Sequence, residues 1–214
     1  NRNSPCTNLQ EGHDQAQQQY GAIISIIVQS NLSVTKSIKF QLSRPMNVGG
    51  GETEMPIISC DQTSGPCLVL HTVGSEGHKI TLHHLTFNVT NAQGSSIIYA
   101  PLKTAPRTII GAPVTLKKVH FVCKQSASKP CSFKSILHLE QSPLFMSNTV
   151  FRSINVSSAL IVLGYSNVRA VPWQRGGTYA SECNRLGDVR LPLSSYFTTV
   201  AGVTGEYVDW LEED

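Results

Sequence analysis

Carboxylates are the first groups to weigh, because metal binding and acid–base catalysis both depend on them. Between residues 36 and 171 the chain holds only Glu52, Glu54, Asp61, Glu76 and Glu140. Calcium takes about six to eight oxygen ligands, and glycoside cleavage takes a pair of acids facing one bond. Glu52 and Glu54 stand close together in GGGETEMP, which reads as a loop, and no acid cluster falls on a repeated strand. An active site could be assembled from Glu140, Arg107 and Lys118, but nothing in their spacing demands it. The histidines are His71, His78, His83, His84, His120 and His138, besides His13 near the start. A metal site needs several such groups converging at bonding distance, so the expectation is surface or hydrogen-bonded histidine. No Gly-x-Ser-x-Gly elbow occurs, and GGGE at 49–52 lacks the Lys-Ser/Thr of a phosphate loop. The chain is therefore expected to be non-catalytic, with no metal site and no cofactor.

Charge adds one asymmetry. The net charge is +3, and Lys and Arg are scattered, densest at Lys103 to Arg107 and at Lys117-Lys118. Without a basic stripe interleaved with aromatics, nucleic acid is not an expected partner. Residues 206–214, EYVDWLEED, carry five acids and no base, so the rest of the chain would stand at +8. That tail also bears Tyr207, Trp210 and Leu211, which suit a C-terminal cap or a segment docking on a neighbouring subunit.

Six cysteines occur: Cys6, Cys60, Cys67, Cys123, Cys131 and Cys183. No Cys-x-x-Cys pair is present, which argues against zinc ribbons and thioredoxin-like sites. Cys60/Cys67 and Cys123/Cys131 each bracket a turn containing Gly or Pro, so local disulfides are expected there, leaving Cys6 and Cys183 to join the ends. Other connectivities, and buried free thiols, stay open. Three Asn-x-Ser/Thr sequons, at Asn31, Asn88 and Asn155, could carry glycans in a eukaryotic secretory pathway. The apolar run Ala22–Val28 is too short to span a bilayer. A secreted or cell-surface location is the expectation.

These groups must be positioned by elements, and one apolar pattern recurs three times. It reads Ile80-x-Leu82-x-x-Leu85-x-Phe87, then Val114-x-Leu116-x-x-Val119-x-Phe121, then Leu144-x-Met146-x-x-Thr149-x-Phe151. Recurrence at a roughly fixed interval marks a stacked architecture. Side chains alternate faces along a strand, so the first and third positions share a face, as do the sixth and eighth. The longer step between them inserts one residue at a bend, filled by His83-His84, Lys117-Lys118 and Ser147-Asn148. A bulged strand or a hairpin would also insert a residue. Further apolar runs follow each copy at 96–99, 136–139 and 160–163, with Leu68-Val69-Leu70 before the first. LEQSPLFM and LGYSNVRA superpose, which predicts a decayed fourth copy from Val168, stopped by Pro172. Ile38-x-Phe40-x-Leu42 and Pro56–Ser59 predict strands of an earlier turn, so the coil is expected from about Ser37 to Val171. A short helix is predicted at Gln10–Gln19 and a strand at Ala22–Val28, with the polar lead unburied and IISIIV capping the exposed end.

The series LQEGHDQAQQQYGAIISIIVQ, SIKFQL, PIISC and GSEGHKITLHHLTF resembles the opening of right-handed parallel β-helix proteins of the pectate-lyase-like type. FMSN at 145–148 and FNVTN at 87–91 are similar to the Phe-x-x-Asn repeats of polymorphic outer-membrane adhesins, although the accompanying Gly-Gly-Ala-Ile motifs are only approached, at Tyr20–Ile23 and Gly94–Ile97. The resemblance covers about residues 20–171 and speaks to fold more than to activity. It implies an all-β chain: lead and cap over 1–35, β-helix coils over 36–175, and a C-terminal cap or intersubunit tail over 176–214. The function it implies is an adhesive or structural surface module. Such a module could be a glycosylated fibre subunit joined head to tail, partnered by itself or by other extracellular proteins and glycans. A polysaccharide-cleaving or carbohydrate-binding protein is the alternative.

Overall fold

Short apolar strands with one buried face become stable only when another strand lies beside them and a second layer covers the face. The chain meets both needs by returning repeatedly to the same two sheets. The computed structural model describes residues 6–53, 55–60, 65–73, 77–89, 96–101, 112–123, 131–133, 135–140, 142, 144–152, 154–156, 161–164, 173–181 and 189–190, with backbone and pairing alone for 123, 131–133 and everything from 151 on. Its elements are the helix α1 (Leu9–Gln17) and the strands β1 (Ile24–Ile27), β2 (Leu32–Val34), β3 (Ile38–Leu42), β4 (Met46–Gly49), β5 (Ile57–Cys60), β6 (Leu68–Thr72), β7 (Ile80–Val89), β8 (Ile98–Ala100), β9 (Val114–Cys123), β10 (Cys131–Phe133), β11 (Leu137–Glu140), β12 (Leu144–Arg152), β13 (Ile154–Val156), β14 (Ile161–Gly164), β15 (Trp173–Ser181) and β16 (Val189–Arg190). Among the described residues the fold is all-β apart from that one short helix.

The described strand pairs are parallel. The first sheet runs β1-β4-β7-β9-β12-β15, with β2 and β5 continuing it alongside β7; the second runs β3-β6-β8-β11-β14-β16. In both sheets the spatial order follows the chain order. Each pass through one sheet is followed by a pass through the other, and each return lands beside the previous strand. A small third pair, β10 with β13, sits in the connections.

The threefold apolar pattern supplies the core. Register aligns Ile80 with Val114 and Leu144, Leu82 with Leu116 and Met146, and Phe87 with Phe121 and Phe151. Ile80, Leu82, Leu85, Phe87, Val114, Leu116, Val119, Phe121, Leu144 and Met146 are all buried. The Phe87 and Phe121 rings stack with centroids 5.3 Å apart and planes 13° from parallel. Equivalent side chains thus pack on one another along a column, as an in-register parallel ladder requires.

The bend is real, and its geometry is specific. His84, Lys118 and Asn148, the second residue of each polar pair, have φ of 50°, 51° and 51°. One left-handed residue turns the strand through a corner while both halves keep their apolar groups inward. In the preceding rung the corner is wider. The chain leaves β4 at Gly49 and re-enters at β5, whose Ile57–Cys60 pair with Thr86–Val89.

Stacking extends on both sides of the expected span. It begins before Ser37, at β1 and β2, and continues past Val171 into β15 and β16. Pro172 does not end it. The offset of 24 implied by LEQS/LGYS holds in the second sheet, where Leu139 faces Leu163. It then widens, because β12 aligns Phe145 with Trp173 rather than with Arg169.

The polar lead is also not idle. Asn8 caps α1 by accepting from Glu11 N at 2.8 Å, and the Glu11 carboxylate reaches back to Thr7 N at 2.9 Å. Contrary to the expectation of an unburied lead, Leu9 and His13 are buried, with the His13 ring stacked on Phe40. Polar groups one helical face apart hydrogen-bond the free edge of β3. Gln10 Oε1 accepts from Lys39 N at 2.8 Å, His13 Nε2 accepts from Gln41 N at 3.1 Å, and Gln17 Nε2 donates to Gln41 O. Arg44 closes the helix C-terminus by donating to the carbonyls of Gln17, Gln19 and Gly21. The end is therefore capped jointly, by α1 over β3 and by the strand β1.

Candidate functional site

Interior positions are spent on packing, so a surface function must use outward side chains, whose positions the ladder fixes rung by rung. On the first sheet the corner column runs Gly49, His83, Lys117, Ser147 and Arg175 in register. Lys117 and Lys118 are exposed, and His83 and His84 are half-buried. The strands of this sheet, β1, β2, β4, β5, β7, β9, β12 and β15, contain no Asp or Glu, whereas they carry His83, His84, Lys117, Lys118, His120, Arg152 and Arg175. Glu52, in the wide corner between β4 and β5, is exposed. The pairing of Glu52 with Glu54 has no structural account here, since Glu54 lies outside the described residues.

His83 shows what this environment does to charge. Burial, then the neighbouring His84, then Lys117 push its pKa below the ordinary imidazole value. Its Nδ1 lies 3.3 Å from Nδ1 of His84. The ring also covers Gly49, where a Cβ would collide with the His83 ring and carbonyl oxygen. Gly49 is thus required by close approach, not by a turn.

The second sheet carries the other cluster. Tyr99 and His138 are register partners with ring centroids 5.2 Å apart, and His138 Nε2 lies 2.7 Å from Glu140 Oε1. Glu140 Oε2 is buried and has no hydrogen-bond partner. An imidazole and a carboxylate in this contact could share a proton, with an aromatic face alongside. The sequence allowed, without demanding, a site built from Glu140, Arg107 and Lys118. Arg107 lies outside the described residues, Lys118 belongs to the first sheet, and Glu140 instead meets His138, whose ring in turn meets Tyr99. Their alternation with buried Leu137 and Leu139 was the available signal. Among the described residues, no group of three or more His, Cys, Asp or Glu could hold a metal ion.

The covalent expectations meet the structure unevenly. Cys60 and Cys67 form a disulfide with Cα atoms 5.8 Å apart, joining the end of β5 to the start of β6. Cys6 carries a free thiol that donates to Gln15. Cys183 lies outside the described residues, as do the side chains of Cys123 and Cys131. Asn31 is exposed, and its Oδ1 accepts from Ile57 N at 2.8 Å. Asn88 is buried, with Oδ1 unpartnered, so a glycan there would need the side chain to leave the sheet face. The side chain of Asn155 and the tail with Tyr207, Trp210 and Leu211 lie outside the described residues. No helix among the described residues is long and apolar enough to cross a membrane. No protein-family model, curated protein or solved structure matches the chain.

Proposed function

We propose that the chain is a right-handed parallel β-helix, a secreted or cell-surface module that adheres rather than catalyses, and that its acid-free sheet face holds an anionic extracellular polymer such as a sulfated or uronic-acid glycan. The helical winding is supported by the chain-ordered alternation between two parallel sheets, and the hand by the strong preference of parallel crossovers for right-handed connections. The disulfide favours an oxidising compartment. The observation that carries the functional reading is the first sheet itself. Its eight strands hold four Lys and Arg residues, three histidines and no carboxylate, and the exposed Lys117 and Lys118 stand at its corner. Self-association through an end of the stack belongs to the same reading.

Titration calorimetry with a sulfated glycan and with polygalacturonate tests it. Lys117→Ala/Lys118→Ala should weaken binding about tenfold, and the affinity should fall steadily with salt. Unchanged affinity in the double variant would reject the assignment. A second reading, polysaccharide cleavage, is favoured by the His138–Glu140 contact and the orphaned Glu140 oxygen. Turnover of polygalacturonate that disappears in Glu140→Gln would establish it over the adhesive one.

A further inference from the structure

The two sheets end differently at the N-terminal side. In the second sheet, the edge of β3 is covered by Gln10, His13 and Gln17 of α1. In the first sheet, β1 pairs with β4 and with no other strand among the described residues. Ile24 N donates to Pro45 O at 2.9 Å and Val28 N to Gly49 O at 2.8 Å, so the even-numbered residues of β1 face β4. Alternation then aims the backbone N–H and C=O of Ser25 and Ile27 at the free edge.

That edge is apolar as well as unpaired. Ile23 is 57% exposed, Ile27 69%, and Tyr20 fully exposed. No charged residue occurs from Gln15 to Thr35. Proteins normally guard an edge strand with charges, proline or a cover; among the described residues this edge carries no charge or proline, and α1, which packs beside Ile26 at Gly12, makes no hydrogen bond to it as it does to β3. An edge so built is fitted to receive another strand.

The sequence of the strand selects its mate. Residues 23–27 read Ile-Ile-Ser-Ile-Ile, a palindrome. Set antiparallel to a second copy about Ser25, Ser25 faces Ser25, Ile23 faces Ile27, and Ile24 faces Ile26. This register brings the edge-directed residues opposite one another, which makes them the hydrogen-bonded pairs of an antiparallel ladder. It also places the two most exposed isoleucines of each copy against those of the other. A two-fold axis demands this self-complementarity, because an isologous interface uses one patch twice.

We infer that β1 is a homodimerisation strand, joining two copies head to head through antiparallel pairing centred on Ser25. Head-to-tail growth, expected from the sequence, would need the same end to accept β15 and β16 of the next copy. The cover of α1 over β3 obstructs the second sheet from doing so. The inference gives form to the self-association in the proposed function and needs only the strand edge, so its failure and that of glycan binding are told apart.

Ser25→Cys in a Cys6→Ser background provides the test, with Cys6→Ser alone as control. Hydrogen-bonded antiparallel partners have Cα atoms about 5.5 Å apart, within disulfide reach. Mild oxidation should give a reducible band at twice the 23.3 kDa chain mass, absent from the control. Ile23→Cys and Ile27→Cys chains should cross-link to each other in a mixture and far less to themselves. Ile27→Lys, at an exposed position, should keep the native circular dichroism spectrum and turn the dimer into a monomer by light scattering. A wild-type chain that stays monomeric, open-ended oligomers, or a dimer that survives Ile27→Lys would each overturn the proposal.

Discussion

Phe121 occupies the middle of the buried column, so its removal probes the stack directly. The side chain is completely buried, stacks on Phe87 at 5.3 Å, and is aligned by register with Phe151 on the far side. Phe121→Ala deletes the ring and leaves a void that neighbouring rungs cannot close, because their backbones are pinned by parallel ladders on both sides. Such a deletion costs about 3–5 kcal/mol. With an m-value of about 2–3 kcal/mol/M, the urea midpoint should fall by roughly 1–2 M. Phe121→Leu keeps most of the volume and should cost only about 1–2 kcal/mol. Val73→Ala, at a 40% exposed site, should stay within about 0.5–1 kcal/mol. Stacking also couples the rings: a double-mutant cycle of Phe87→Ala and Phe121→Ala should show an interaction of about 0.5–1.5 kcal/mol. Equilibrium urea unfolding followed by circular dichroism measures all of these. A loss below about 1 kcal/mol for Phe121→Ala, or strictly additive effects of the two substitutions, would refute the column.

Three further outcomes are expected. Lys118→Gly should raise the melting temperature, since relief of a left-handed backbone worth about 1–2 kcal/mol outweighs the added chain entropy; the same change at the adjacent buried Val119 should lower it sharply. Reducing the Cys60–Cys67 bond, which closes a short loop of sequence separation 7, should cost about 2–3 kcal/mol in urea unfolding, and Cys60→Ala/Cys67→Ala should shrink the effect of reductant by that amount. Stability should fall as pH drops from 7 through the histidine range: His83 has a depressed folded-state pKa, so the unfolded chain binds more protons there. His83→Gln should flatten that slope, and an unchanged pH profile would contradict the assignment.

Some of this molecule is written plainly in its residues and some is not. The spacing of Ile80, Leu82, Leu85 and Phe87, and its recurrence, disclosed both the strands and the corner, because interior packing forces apolar residues at fixed steps. The left-handed residue was foreshadowed only by the polarity of His84, Lys118 and Asn148. The helix α1 was placed almost correctly, but its burial was hidden. Gln10, His13 and Gln17 look like a solvent-facing row, whereas they serve the unpaired backbone of β3. The strand β15, WQRGGTYAS, lacks the apolar rhythm, and its place follows from backbone pairing with β12. The Tyr99–His138–Glu140 group joins residues about forty positions apart, and only the register of β8 with β11 brings them together. The need for glycine at Gly49 likewise belongs to the facing rung, where His83 lies.

The central claim is that successive returns of the chain stack matched side chains in a single column. Nuclear Overhauser measurements on phenylalanine-labelled protein test it most directly. The account predicts ring-to-ring contacts between Phe87 and Phe121 and between Phe121 and Phe151, and none between Phe87 and Phe151. Absence of the Phe87–Phe121 contact in a folded sample, or a direct Phe87–Phe151 contact, would contradict it.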